Sequence, residues 1–335
     1  MTRLRKHALI NAAAIVFALM VMASQAGAAY PGKAGDIAYN KYRDVGEIVG
    51  ESEQIHPEGG LFVHGPRFEE RPRQLTSEAS DAYPAYSPNG RQIAFVSTRG
   101  QLGLSRTSQI YLMRSDGTAV RQLTDDPAGA SGPYFSPDGR KLVFARSHHL
   151  WLLTIATGAE RQLTFGRADD SEPVFTPSGR RILFTSNRDQ SGGKHDSSDI
   201  WAIGSDGRNL KALVNGPGAE VNPEVSPDGK RIAYVVQQSP YFGYGNLRIA
   251  RANGRFLRSL DDKPGPECRP CYGSPTWAPD GKHLAAVEKR GNVGSSVLMV
   301  MRPDGSHRRS FDRGIVETDG FGSHVGSPAW GAASR

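Results

Sequence analysis

One phrase occurs five times in this chain. It reads PYFSPDGRKLVFAR at residues 133–146, and its variants are PAYSPNGRQIAFVS from Pro84, PVFTPSGRRILFTS from Pro173, PEVSPDGKRIAYVV from Pro223 and PTWAPDGKHLAAVE from Pro275. A repeat of this length fixes architecture before any other feature does. Within a unit, the segment before the turn carries an aromatic. Pro-Asp-Gly, or its Asn and Ser versions, then supplies a fixed φ, a side chain that bonds its own backbone and a positive φ. The next residues alternate, as in RQIAFVS, and predict a strand. QIYLMRSDG predicts a second strand ending in an Asp-Gly hairpin turn, and AVRQLT predicts the last. Each unit is thus expected to be four short antiparallel strands. Such a sheet cannot bury both of its faces alone, whereas radial stacking buries them, and this gives a β-propeller.

The chain ends complete the pattern. GSPAW at 326–330 is an opening strand with nothing after it, and GDIAYNK at 35–41 is a second strand with nothing before it. GGLFVHG at 59–65 and RPRQLT at 71–76 suit the third and fourth strands. The expectation is an all-β, six-bladed propeller of four-stranded antiparallel blades whose last blade is closed by both termini. Its blades span about 77–124, 125–164, 165–214, 215–260 and 261–311, with a closing blade of 312–335 plus 29–76. Residues 29–335 then form a single domain. Arg73, Arg121, Arg161, Lys211, Arg258 and Arg308 fall on outer strands, where charge discourages edge-to-edge pairing.

Arg3, Arg5 and Lys6, an apolar run from Ala8 to Ala23 and the Ala26-Gly27-Ala28 triplet predict a signal peptide over residues 1–28. The protein is therefore expected to be exported, periplasmic or secreted, with no transmembrane segment after cleavage. Loss of those three cations lowers the formal charge from +7 to +4. The remaining basic residues are dispersed, so nucleic acid is not an expected partner. Cys268 and Cys271, in a Pro/Gly-rich loop of an exported chain, are expected to form a local disulfide; free thiols are the other reading.

The phrase PAYSPNGRQIAFVSTR, followed by QIYLMRSDG and RQLT, and its counterpart PVFTPSGRRILFTSNR with DIWAIGSDG, resemble the WD-like Pro-Asp-Gly repeats of the TolB family. The resemblance covers essentially the whole chain after the leader. It implies a six-bladed propeller and, by the family's example, a protein partner in the cell envelope. Related repeats also occur in peptidase propellers and in lyases. The stretch from Ala29 to Thr76 is too short for the α/β domain that precedes the propeller in TolB, so no such domain is expected.

Loops after strands one and three of each unit are tight and constant, and share one face. Loops after strands two and four vary, as in STRGQLGLSRTS, SNRDQSGGKHDSS and QQSPYFGYGN, and share the other. Variable loops on a rigid frame carry function more often than constant ones. The expected binding rim on that face comprises Asp81, Asp170, Glu172, Glu220, Asn222, Ser274, His324 and Ser327 near the opening prolines, with Arg99 and Arg188 after the second strands. A peptide terminus, a sugar acid or a cation would suit such a mixed rim; equally, these groups can satisfy one another around channel water. Tyr241, Phe242 and Tyr244 form an aromatic loop that can stack on a sugar or a partner side chain, or pack on its own blade.

No G-x-S-x-G elbow and no Gly-rich phosphate loop with lysine is present, so no catalytic residue is assigned. The histidines fall on different units, with His283 and His307 expected in solvent, and no metal or other cofactor is expected. The function read from the sequence is a monomeric, non-enzymatic scaffold that binds a protein or peptide through its variable-loop face and channel mouth. The alternative is a propeller polysaccharide lyase or hydrolase acting at that mouth.

Overall fold

A computed structural model describes residues 34–49, 52–65, 71–100, 107–188, 198–237, 244–261, 270–290, 295–311 and 323–333. The expected signal peptide lies outside the described residues. Among the described residues all regular structure is β, and no helix is long and apolar enough to cross a membrane.

Strands β1 (Ala34–Val49), β2 (Ser52–His64) and β3 (Arg73–Gln74) come from the start of the chain. Two four-stranded sheets follow: β4 (Ala82–Tyr86) to β5 (Gln92–Ser97), β6 (Gln109–Arg114) and β7 (Arg121–Gln122), then β8 (Ser131–Phe135), β9 (Lys141–Arg146), β10 (His149–Thr154) and β11 (Ala159–Gln162). A third consists of β12 (Asp170–Phe175), β13 (Arg181–Ser186), β14 (Asp199–Gly204) and β15 (Lys211–Val214). An eight-stranded sheet holds β16 (Ala219–Val225), β17 (Arg231–Gln237), β18 (Gly245–Arg251) and β19 (Phe256–Ser259), then β20 (Cys271–Trp277), β21 (Leu284–Arg290), β22 (Ser295–Met301) and β23 (Arg309–Phe311). Its two halves are joined at one position, Gly245 opposite Tyr272. Finally β24 (Ser323–Ala332) pairs with β1, Ile37 facing Trp330 and Ala38 facing Ala329, so one four-stranded sheet is built from both ends of the described chain. All pairings are antiparallel, and the sheets stack as the blades of a propeller.

Burial falls outward along each blade. β5 reads half-buried at Gln92 and buried thereafter, whereas both residues of its edge strand β7 are exposed. Inner strands have a neighbouring blade on each face, so both of their faces are apolar. First strands touch in the cyclic order β24, β4, β8, β12, β16, β20 and back to β24.

The repeated phrase acts through a hydrogen-bond set. Ser136 Oγ donates to Asp138 Oδ1 (2.5 Å) and accepts from Lys141 N (2.9 Å), while Asp138 Oδ1 also accepts from Arg140 N (3.0 Å). Ser87 with Asn89 and Ser226 with Asp228 repeat it. The glycine closes the turn at φ 69° for Gly139, and a Cβ there would sit 3.5 Å from Pro88 Cδ of the preceding blade. Proline and glycine of successive turns therefore pack on one another.

The outer-strand arginines do more than repel edges. Arg161 Nη1 and Nη2 donate to Asp206 O (3.1 Å) and Ser205 O (3.0 Å) in the next blade, and Arg73 Nη1 donates to Asp116 O (3.2 Å) in its neighbour. The hairpin turn of one blade thus sits against the last strand of the one before, close enough that a long side chain can bond the turn carbonyls. His283 also departs from expectation. It is half-buried and stacks on Trp330 with ring centroids 6.3 Å apart, because its turn faces β24; His307 is exposed.

The starting hairpin is longer than the sequence suggests. β1 and β2 remain paired to Val49 and Ser52, past Arg43, where pairing with β24 ends. Antiparallel backbone bonding needs no alternating pattern, which is why composition gave no sign of this ribbon. It leaves the sheet at the end where β24 begins, on the variable-loop face.

Candidate binding site at the channel mouth

A β-bulge precedes the opening proline in each described first strand, with register shifts between Ala82 and Ala85, Ser131 and Tyr134, Ser171 and Val174, Val221 and Glu224, and Gly273 and Thr276. At the residue before the proline φ is positive: Tyr83 at 53°, Gly132 at 59°, Glu172 at 54°, Asn222 at 53° and Ser274 at 52°. Only glycine adopts this conformation without cost, and asparagine tolerates it. Bulges re-aim side chains, and here they do so on the innermost strands.

Glu172 shows the result. Its side chain is 3% exposed, and Oε2 accepts from Thr185 Oγ1 (2.5 Å) on its own blade and from Asn222 N (2.6 Å) on the next. Burial pushes its carboxyl up to about 7, against the lowering effect of those bonds. Tyr83 lies near enough to Glu172 and Tyr244 that both add to the rise in its hydroxyl pKa, which burial dominates. Tyr244 in turn bonds Ser296, and burial raises its hydroxyl as well. Residues from β4, β12, β16, β22 and the segment before β18 thus converge. Glu220 is buried beside Asp199; desolvation first, then the Asp199 carboxylate, pushes its carboxyl up, while Oε2 accepts from Gly216 N (2.9 Å).

The two rim arginines are held in place. Arg99 pairs with the fully buried carboxylate of Asp81 and lies 5.0 Å from the Phe95 ring centroid; Arg188 pairs with the equally buried Asp170 and lies 5.5 Å from those of Phe184 and Trp201. Ser186 Oγ donates to Asp170 Oδ1 (2.6 Å). Each carboxylate is compensated by a cation stacked on aromatic rings, a fixed strut between the first and second strands.

Below this level the interior is spanned. Tyr134 Oη donates to Glu224 Oε1 (3.4 Å) between blades that are not neighbours, and both side chains are buried. This bond crosses the interior beneath the rim residues.

Of the sequence-predicted rim, Asp81, Arg99, Asp170, Glu172, Arg188, Glu220, Asn222 and Ser274 are placed on or beside the innermost strands. The side chains of His324 and Ser327, and all of Tyr241, Phe242 and Cys268, lie outside the described residues. Cys271 is disulfide-bonded. Tyr83, Tyr134, Asp199 and Glu224 were not anticipated. Tyr83 had a signal, since it precedes Pro84 as Glu172 precedes Pro173. Among the described residues no group of three His, Cys, Asp or Glu side chains could hold a metal ion.

Residues 130–333 match the family model described as the TolB β-propeller domain. The chain belongs to the TolB β-propeller domain family. TolB from Acinetobacter baumannii shares the fold with a TM-score of 0.67 at 23% identity, over 89% of this chain and 67% of that one. An uncharacterized protein of Agrobacterium fabrum is 26% identical over 72% of this chain and 70% of its own length. An uncharacterized peptidase of Bacillus subtilis is 42% identical over 60 residues, 18% of this chain and 8% of the peptidase. That short match is about the length of one repeat unit of this TolB-type propeller.

Proposed function

We propose that this protein is an exported, monomeric, non-enzymatic TolB-type propeller of six blades, closed by β24 on β1, that binds a protein or peptide segment at its channel mouth. The cyclic contact of first strands supports the blade count, with the two halves of the eight-stranded sheet taken as one blade each. The leader-like start and the disulfide-bonded Cys271 support export.

The observation that carries the binding reading is the clustering of Tyr83, Glu172, Asn222 and Tyr244 at the innermost strands, with three of them, Tyr83, Glu172 and Asn222, at a positive φ. Strain retained at several adjacent positions is a mark of functional surface. The groups gathered there are hydroxyls, a carboxyl and an amide, of which the two tyrosines are the more exposed and Glu172 and Asn222 are buried. The β1–β2 ribbon rises on the same face and would flank an occupant. Matched baits test this: wild type, Glu172→Lys and, as a control on the other face, Lys230→Glu. A partner captured by wild type and the control but lost by Glu172→Lys, with unchanged melting, supports the reading. A partner lost only by Lys230→Glu overturns the choice of face.

One observation favours the enzymatic alternative. Glu172 and Glu220 are buried carboxyls with raised pKa values, the property a general acid requires. Turnover of polygalacturonate or short peptides that disappears in Glu172→Gln would establish it.

A further inference from the structure

The face opposite the mouth carries an open groove of about 700 Å³ on the β12–β15 blade. Arg180 and Arg181 form one wall, Gly204 and Asp206 the hairpin end, and Leu210 and Lys211 the approach to β15. Among the described residues, Arg180, Arg181 and Lys211 make no ion pair and no side-chain hydrogen bond. The hairpin end is fixed from behind, because Arg161 of the preceding blade holds the carbonyls of Ser205 and Asp206.

The sequence says why charge is free here. In the next blade the same turn places an aspartate beside its basic residues: Asp228 Oδ2 lies 4.0 Å from Arg231 Nη2. This blade has Ser178 at that position. Ser178 Oγ keeps the turn by accepting from Arg180 N (3.4 Å) and bonding Thr176 Oγ1 (3.1 Å), but it brings no carboxylate. Two guanidinium groups and an ammonium therefore line one concavity, opposed among its described lining residues by Asp206 alone. Asp206 Oδ1 is itself engaged by Arg208 N (3.0 Å).

We propose that this groove binds a phosphate-type oxyanion, with Arg180 and Arg181 as forked donors and Lys211 as a point charge. Such an anion can come from a soluble phosphate-bearing molecule or from a lipid headgroup.

The test is calorimetric titration of the purified full chain with tripolyphosphate, alongside flotation with phosphatidylglycerol and phosphatidylcholine vesicles. Arg180→Gln combined with Arg181→Gln is expected to weaken tripolyphosphate binding about tenfold or more. Ser178→Asp, which supplies the aspartate that Asp138 and Asp228 place in the turns of the flanking blades, should weaken it, and Asp206→Asn should tighten it. Arg140→Gln with Lys141→Gln, the same charge change one blade away, should leave the affinity within about twofold. Melting curves identify any variant that fails to fold, and the two turn-compatible changes, at 178 and 206, keep the test open in that case. Tripolyphosphate binding without vesicle binding identifies a soluble source. Selective binding of phosphatidylglycerol vesicles that tripolyphosphate competes away identifies a headgroup. Absence of both, or an equal loss in the control pair, overturns the proposal.

Discussion

The residue before each opening proline decides what the mouth presents. Ser274 sits at φ 52° and Gly132 at φ 59° in equivalent bulges. An L-residue in this region costs about 1–2 kcal/mol, so Gly132→Ala should destabilise by roughly that amount. Ser274→Gly should stabilise by about 1 kcal/mol or less, because glycine's unfolded-state entropy offsets part of the relief. Denaturant midpoints measure both. Glu172 makes a pH prediction. Its carboxyl titrates at about 7 when folded against 4.5 as the ordinary value. Between those values the native state keeps a proton that the unfolded chain has released. Stability should therefore fall as pH rises through that interval, by on the order of 3 kcal/mol, and level off above it. Glu172→Gln removes the titration while leaving an oxygen to accept from Thr185 and Asn222. Its unfolding free energy should lose the Glu172 share of that slope and keep the share of Glu220, whose carboxyl is also raised, and an unchanged slope would place the titrating group elsewhere.

Within a blade, the constant turns and the junctions between blades are what the repeat preserves. Asp138→Ala removes the acceptor for Ser136 Oγ and Arg140 N and should cost about 1 kcal/mol. Asp138→Asn should be nearly neutral, since Asn89 serves the same turn in the blade before. Gly254 is a harsher site. Its φ is 87°, and a Cβ would come within 1.8 Å of Leu213 O in the preceding blade, so Gly254→Ala should cost about 2 kcal/mol or more in thermal unfolding. The constant turns were legible in the sequence, because turn chemistry is local and the copies repeat it, whereas the close approach of Gly254 to Leu213 was not. Nor was the latch from Arg161 to the Ser205 and Asp206 carbonyls. It depends on the distance between blades, and an arginine on an edge strand looks the same whether its fork meets water or a carbonyl. The mouth was half legible for a related reason. Position relative to proline located Glu172 and Asn222, but pattern alone could not tell that Arg99 and Arg188 would be tied to Asp81 and Asp170. Tyr83 was not singled out, although it precedes Pro84 as Glu172 precedes Pro173.

At the scale of the molecule, family membership and the stacked four-stranded antiparallel sheets agree with the all-β propeller class that the five phrases imply. The bond between Tyr134 and Glu224 could not be read from either repeat alone, since it joins blades separated by a third. The two-ended sheet has a direct test. Removing residues 323–335 strips β1 of its partner and deletes Trp330, whose Nε1 donates to Gly35 O (3.1 Å). The shortened protein should melt lower and with a broader transition in calorimetry; an unchanged, sharp transition would show that the remaining blades hold together without this pairing.

That same bond between Trp330 and Gly35 sets an order in time. A ribosome makes β1 first among these strands and β24 last, so the earliest strand waits for the final ones to appear before its inner edge is covered. Local hairpins can form as they emerge, but contacts between such distant parts of the chain close slowly. Until β24 has been made, β1 lacks that partner strand. A chain in that condition can still be held extended by a chaperone or threaded through a translocation pore until β24 is available to pair.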